Sequence, residues 1–171
     1  MGADVQSDSA EPPRYNSPMP PSCDLIALKP ADLALLNAWA ESDLPDGLTT
    51  HERLSRLKRL AQDQRVLGFK RHGQLMAAAV VDWASDPVHL ETLIVGRAFR
   101  RQALGQALLN ALLAKSQVLG ASGLKLMVRL SAHSALAFYA HCHAVRRDVH
   151  LGYYDDDDGV ELFIPHPIPP R

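Results

Sequence analysis

Residues 89–109 read HLETLIVGRAFRRQALGQALL, and the reading of this stretch decides the fold. From His89 to Val95 the side chains alternate as in a strand, Leu93 and Val95 sharing a face with His89 and Glu91 while Leu90, Thr92 and Ile94 take the other. From about Gln102 the period changes. Leu104, Leu108, Ala111 and Leu112 recur at helical spacing, with Ala103 and Ala107 beside them, which predicts a helix lying on a sheet. The turn between carries Gly96 and three arginines, Arg97, Arg100 and Arg101. The first N–H groups of a helix lack intrahelical partners and its dipole is positive there, so a phosphate is both hydrogen-bonded and electrostatically favoured. Each charge-assisted bond to phosphate contributes about 1.5–3 kcal/mol. The plain alternative is an ordinary βα turn with a solvated basic rim.

Residues 95–105, VGRAFRRQALG, resemble the acetyl-CoA signature of the GNAT N-acetyltransferase superfamily, a Val-containing strand followed by R/Q-x-x-G-x-G/A. Arg100, Ala103 and Gly105 take the three signature positions, and Ala103 stands where the family usually has glycine. At positive φ an alanine costs about 1–2 kcal/mol; in a helix it costs nothing. The resemblance implies acetyl-CoA as co-substrate and no metal. It implies that Arg100, Arg101, Gln102, Ala103, Leu104, Gly105 and Gln106 hold the phosphates. The backbone of Leu93, Ile94 and Val95 would then pair with the pantetheine arm as an added strand does.

The rest of the chain suits this reading. At 171 residues, 47% hydrophobic and 22% charged, it has material for one domain with a real core. A net charge of −1 argues against general nucleic-acid binding, no apolar run approaches the length of a membrane span, and the first residues, without a basic region and apolar core, are not expected to act as a secretory signal. Two cysteines, Cys23 and Cys142, do not make a disulfide framework, so a reducing cytoplasm is expected. Residues 1–22 hold five prolines and few large apolar groups, which predicts a disordered tail; residues 166–171 form a short proline-rich tail. The domain is expected over residues 23–165.

Within it, a strand is expected over Asp24–Lys29 and a helix over Ala31–Glu41. Thr49 and Glu52 form a capping box for a second helix, with Leu54, Leu57 and Leu60 inside and Arg53, Arg56, Lys58 and Arg59 as a solvated outer rim. Arg65–Lys70 and Leu75–Trp83 read as a hairpin whose second strand is apolar on both faces and hence central. Beyond the phosphate helix come a strand with alternating Leu124, Leu126 and Val128, a helix over Ser131–His141, and a hairpin of Val145–Tyr153 with Val160–Ile164 across Asp155–Gly159. The total is about seven strands and four helices.

That order is the one the GNAT fold is known for: an α/β fold with a mixed, mostly antiparallel seven-stranded sheet, here over roughly residues 24–164. In the later helix Ala135 and Tyr139 match the family's N-x-x-A-x-x-x-Y pattern, with Ala132 in place of the asparagine. The reaction needs a base to take the amine proton and a donor for the leaving thiolate. The resemblance implies Glu91 or His89 as base, directly or through water, and Tyr139 as acid. Each also has an ordinary reading: Glu91 at a wet strand edge, His89 capping a turn, Tyr139 in the core.

Two candidates carry less. His141-Cys142-His143 lacks the ligand spacing of a metal site, and Asp155–Asp158 with Gly159 does not fit a calcium loop. The expected activity is therefore acetyl transfer from acetyl-CoA to a primary amine within a ternary complex, a small molecule before a peptide or lysine. A non-catalytic acetyl-CoA-binding regulator on the same fold is the alternative. Acceptor residues are expected around Trp39–Thr50 and Tyr153–Asp158, where Asp43 and Asp46 could attract a cation. The sequence leaves the oligomeric state, homodimer included, open.

Overall fold

The computed structural model describes residues 24–44 and 46–167; the tail expected over 1–22, Cys23 and residues 168–171 lie outside the described residues. The chain runs β1 (Ile26–Ala27), α1 (Pro30–Asp43), α2 (Thr50–Gln62), β2 (Val66–Arg71), β3 (Gln74–Asp82), β4 (Val88–Val95), a 3₁₀ turn (Arg97–Phe99), α3 (Leu104–Val118), β5 (Gly123–Arg129), α4 (His133–His141), β6 (Val145–Tyr154) and β7 (Asp157–Pro165). These strands form one sheet in the order β1-β2-β3-β4-β5-β7-β6, all neighbours antiparallel except β4 and β5. The expected mixed, mostly antiparallel seven-stranded sheet with four helices is thus the fold.

Each face of the sheet buries its own cluster. On one, α3 sets Leu104, Leu108, Leu109 and Leu112 against Ala77, Ala79, Val81, Leu90, Leu124 and Leu126. On the other, Leu33 and Leu36 of α1 and Leu57 of α2 cover Val66, Ala78, Val80 and Ile94. β3 is buried on both faces, as its unbroken apolar run requires.

Strand β4 departs from simple alternation. Val80 faces Thr92 and Val81 faces Leu90, so Glu91 is an extra, unpaired residue. The bulge resets the faces: Leu90, Leu93 and Val95 all pack on the α3 side, whereas Ile94 packs under α1 and α2. His89 and Glu91 therefore face away from Leu93 and Val95, and the expected sharing of a face is corrected.

Other boundaries shift for local reasons. β1 keeps only two residues, and α3 begins at Leu104, after a left-handed Ala103. Asp157–Gly159 join β7 through their pairing with Tyr154, His150 and Arg129, while the acid side chains accept from neighbouring backbone, Ser131 N to Asp157 Oδ2 at 3.0 Å and Gly152 N to Asp158 Oδ1 at 2.7 Å. The expected basic rim of α2 is half turned inward. Arg53 is only 5% exposed and donates to Asp46 at 2.9 and 2.6 Å and to the Leu48 carbonyl at 2.8 Å, while Arg56 bonds Glu91. No helix among the described residues is long and apolar enough to cross a membrane.

Candidate active site

The one parallel pairing opens the sheet. β4 and β5 share only the rungs Val88–Leu124 and His89–Lys125, while β5 stays paired with β7 along its whole length. From Leu90 onward the β4 edge facing β5 carries no ladder, and the backbone groups there need other partners. The unpaired stretch runs to Val95, the end of β4 that leads into α3. Leu93, Ile94 and Val95 thus line the open part of the gap.

At that end the backbone makes an anion cradle. Arg101 and Ala103 have φ of 62° and 57°, with Gln102 at negative φ between them. Alternating hands of this kind turn successive N–H groups to one side. The first intrahelical bond of α3 runs from Ala107 N to the Ala103 carbonyl at 2.9 Å, so the N–H groups of Leu104, Gly105 and Gln106 point outward unpaired by the helix. An open cavity of about 320 Å³ lies against them, lined by Val95, Phe99, Arg100, Arg101, Ala103, Leu104, Gly105, Gln106, Phe138 and His141. Gly105 is small for a packing reason: a Cβ there would sit 3.3 Å from the Phe138 ring. Gly96 is small for another, since its Cβ would come within 2.6 Å of Trp39. The residues present fit the phosphates and pantetheine of acetyl-CoA.

The arginines differ in their engagement. Arg100 bonds the Val95 carbonyl at 3.1 Å and the Asp43 carboxylate; Arg97 reaches Asp43 at 2.9 Å. These guanidiniums hold the Asp43 carboxyl below the usual range. Asp43, in the stretch expected to build the acceptor pocket, ends α1 and is engaged by the two arginines of the β4–α3 turn.

On the other side of the gap, under α1 and α2, stand His89 and Glu91. Glu91 accepts from Arg56 of α2 and from Arg65. Burial pushes His89 below its ordinary value, although the Glu91 carboxylate pulls the other way, so the imidazole is neutral near pH 7. Tyr139 is 8% exposed, lies in the same cluster as Leu93, Val95 and Leu104, and meets the Phe138 ring edge-on at 5.0 Å. Burial raises its hydroxyl well above the usual tyrosine range. Just past the end of α4, burial pushes the free, buried Cys142 thiol up to about 11.

The structure therefore brings the phosphate-turn residues and the β4 backbone together at one gap. It sets Tyr139 on the α3 side of the sheet and His89 with Glu91 on the other. Sequence reasoning missed the Arg56–Glu91–Arg65 bridge and a His150–Glu161 pair on the last hairpin. Neither has a local signal, because both join residues from separate strands or helices.

The profile of the Acetyltransferase (GNAT) family matches residues 33–144. Over 102 residues the chain is 31% identical to the [ribosomal protein bS18]-alanine N-acetyltransferase of Escherichia coli (strain K12), spanning 58% of this chain and 69% of that protein. The crystal structure of Ard1 from Thermoplasma volcanium is similar with a TM-score of 0.72 at 19% identity, covering 85% of this chain and 99% of that one. The ribosomal-protein-S18-alanine N-acetyltransferase structure from Escherichia coli gives a TM-score of 0.66 at 21% identity, covering 88% and 97%.

Proposed function

The chain belongs to the acetyltransferase (GNAT) family and is an N-acetyltransferase, and from that premise we propose that it acetylates the free N-terminal amine of a polypeptide by direct transfer with both substrates bound. The observation that carries the transfer reading is the gap between β4 and β5, which opens onto the anion cradle at the start of α3. Acetyl-CoA supplies an acyl carbon already activated as a thioester. Residues Arg101–Gln106 hold its phosphates, and the unladdered edge of Leu93–Val95 orients its arm. Tyr139, whose hydroxyl keeps its proton at neutral pH as any tyrosine does and is held to it more firmly by burial, donates to the leaving sulfur. His89 and Glu91 form the floor of the gap on the α2 side, where Glu91 is held by Arg56 and Arg65.

A polypeptide N-terminus is preferred to a small amine on two grounds. The similar Escherichia coli enzyme is named for an alanine of a ribosomal protein. The chemistry agrees: an α-ammonium with pKa near 8 costs about 1 kcal/mol to deprotonate at pH 7, against about 4–5 kcal/mol for an alkylammonium. With Glu91 already shared by two guanidiniums, the easier acceptor suits the site. The reading places the enzyme in the cytoplasm, where acetyl-CoA and nascent chains meet.

Purified protein, acetyl-CoA and a panel of free peptides, N-blocked peptides and small primary amines test this. Free CoA is expected only with unblocked peptides, with the added acetyl mass at the α-amine. Reaction with small amines alone overturns the acceptor assignment. Tight acetyl-CoA binding with no CoA release from any amine overturns the catalytic reading and leaves a CoA-binding regulator.

A further inference from the structure

Of the two groups on the β4 floor, Glu91 is committed elsewhere. Glu91 has its two oxygens on Arg56 and Arg65, so it must release a guanidinium to take a proton. His89 stands at the last closed rung, opposite Lys125. Along β5 the next side chain on that face, where the gap has opened, is Met127, which has no proton acceptor. Its cross-strand partner on β7 is Glu161. Neighbouring strands lie about 5 Å apart, so Glu161 is the first titratable side chain beyond the open β5 edge.

Glu161 is not alone. His150 on β6 brings Nε2 to 2.9 Å from Glu161 Oε2, and both side chains keep access to solvent, 42% and 36% exposed. The register puts them on the sheet face that α1 and α2 leave open: Leu124, Leu126, Val128, Val160, Leu162 and Ile164 are buried on the α3 side, so the residues between them point the other way. The charged groups facing the pair are Lys125 and Arg129 from β5 and Asp148, the direct partner of Glu161, from β6. Arg147 is occupied over the Phe163 ring at 4.7 Å, and the Tyr153 ring lies edge-on to His150 at 6.2 Å.

We infer that the Glu161–His150 pair is the proton acceptor of the reaction, Glu161 receiving the acceptor's ammonium and His150 passing its proton to solvent. The inference rests on the acetyl-transfer reading above. One proton leaves the ammonium for the pair. The freed nitrogen lone pair forms the C–N bond to the thioester carbon, the C–S bond breaks with its electrons on sulfur, and the second nitrogen proton ends on that sulfur to give the CoA thiol. The pair then returns its proton to water, so one proton is released per turnover. Glu91 and His89 take no proton from the acceptor in this scheme.

The test is kcat against pH from 6 to 9 for the full chain with an acetylated-product readout, comparing wild type with Glu161→Gln, His150→Gln and Glu161→Asp, together with acetyl-CoA affinity. Expected at pH 7 is a loss of about 100-fold in kcat for Glu161→Gln with unchanged acetyl-CoA Kd, shrinking to a few-fold at pH 9, where an α-amine of pKa near 8 is free without help. His150→Gln should lower kcat at pH 7 several-fold with unchanged acetyl-CoA Kd, and Glu161→Asp should retain most activity. Wild-type profiles in both Gln variants, or an equal loss at every pH, overturn the inference while leaving the acetyl-transfer reading intact. A wild type that turns over no amine at any pH overturns that reading, and this assignment with it.

Discussion

Asp43, the last residue of α1, holds Arg100 of the β4–α3 turn through its carboxylate, and the same carboxylate reaches Arg97 at 2.9 Å. It thus competes with any phosphate for the guanidinium the signature places there. Asp43→Asn is expected to tighten acetyl-CoA binding a few-fold at low salt, with the gain fading at high salt as screening removes it. Arg100→Ala is expected to weaken binding by about tenfold, discounted from a full charge-assisted bond because Arg100 is exposed. Calorimetric titration measures both; an unchanged affinity for Arg100→Ala removes Arg100 from the phosphate site.

Ala103 sits in the left-handed region at φ 57°, ψ 13° and is exposed, so its methyl adds strain without packing. Ala103→Gly should stabilise the protein by about 0.5–1 kcal/mol, the strain relieved less the extra entropy of the unfolded chain. Urea denaturation reads this directly. A destabilised glycine variant would mean that the alanine makes a contact outweighing its backbone cost.

Tyr139→Phe keeps the ring against Phe138 and removes only the hydroxyl. We expect kcat to fall about 10- to 100-fold with little change in acetyl-CoA affinity or melting temperature. Turnover equal to wild type would confine Tyr139 to the core.

The depressed His89 makes stability depend on pH. Its folded value lies below the ordinary 6.5 because burial disfavours the imidazolium, so the unfolded chain binds the proton more readily. The contribution is complete above about pH 6.5 and is lost as pH falls toward the folded value. His89→Gln should therefore flatten the slope of unfolding free energy between pH 5 and 6.5 relative to wild type. Parallel curves for the two proteins contradict this.

Much of the fold was legible because local rules govern it. The Thr49–Glu52 capping box forms as the spacing predicts, with Glu52 N donating to Thr49 Oγ1 at 3.3 Å and Thr49 N to Glu52 Oε2 at 2.9 Å. The His72-Gly73 turn joins β2 and β3 with both residues at positive φ, as a two-residue hairpin demands. The bulge at Glu91 was not legible, since Leu90, Thr92 and Ile94 on one side and Leu93 and Val95 on the other also read as two regular strand faces, and only the pairing with β3 reveals the extra residue. Nor was the inward turn of Arg53, whose partner Asp46 lies in the preceding loop. A charge on a helix reads as solvated unless its ion pair is known.

By itself the sequence determined the order of the elements, the strand-to-helix turn with its arginines, and the Tyr139 helix, all of which depend on side-chain period and short-range backbone preference. Only the tertiary structure decided which side of the sheet each candidate faces and which charges are already spent. The bulge sends His89 and Glu91 under α2, Arg56 and Arg65 occupy Glu91, Asp43 occupies Arg97 and Arg100, and hairpin register brings His150 to Glu161. Those facts are made by residues distant in the chain, and periodicity along one strand or helix carries no record of them.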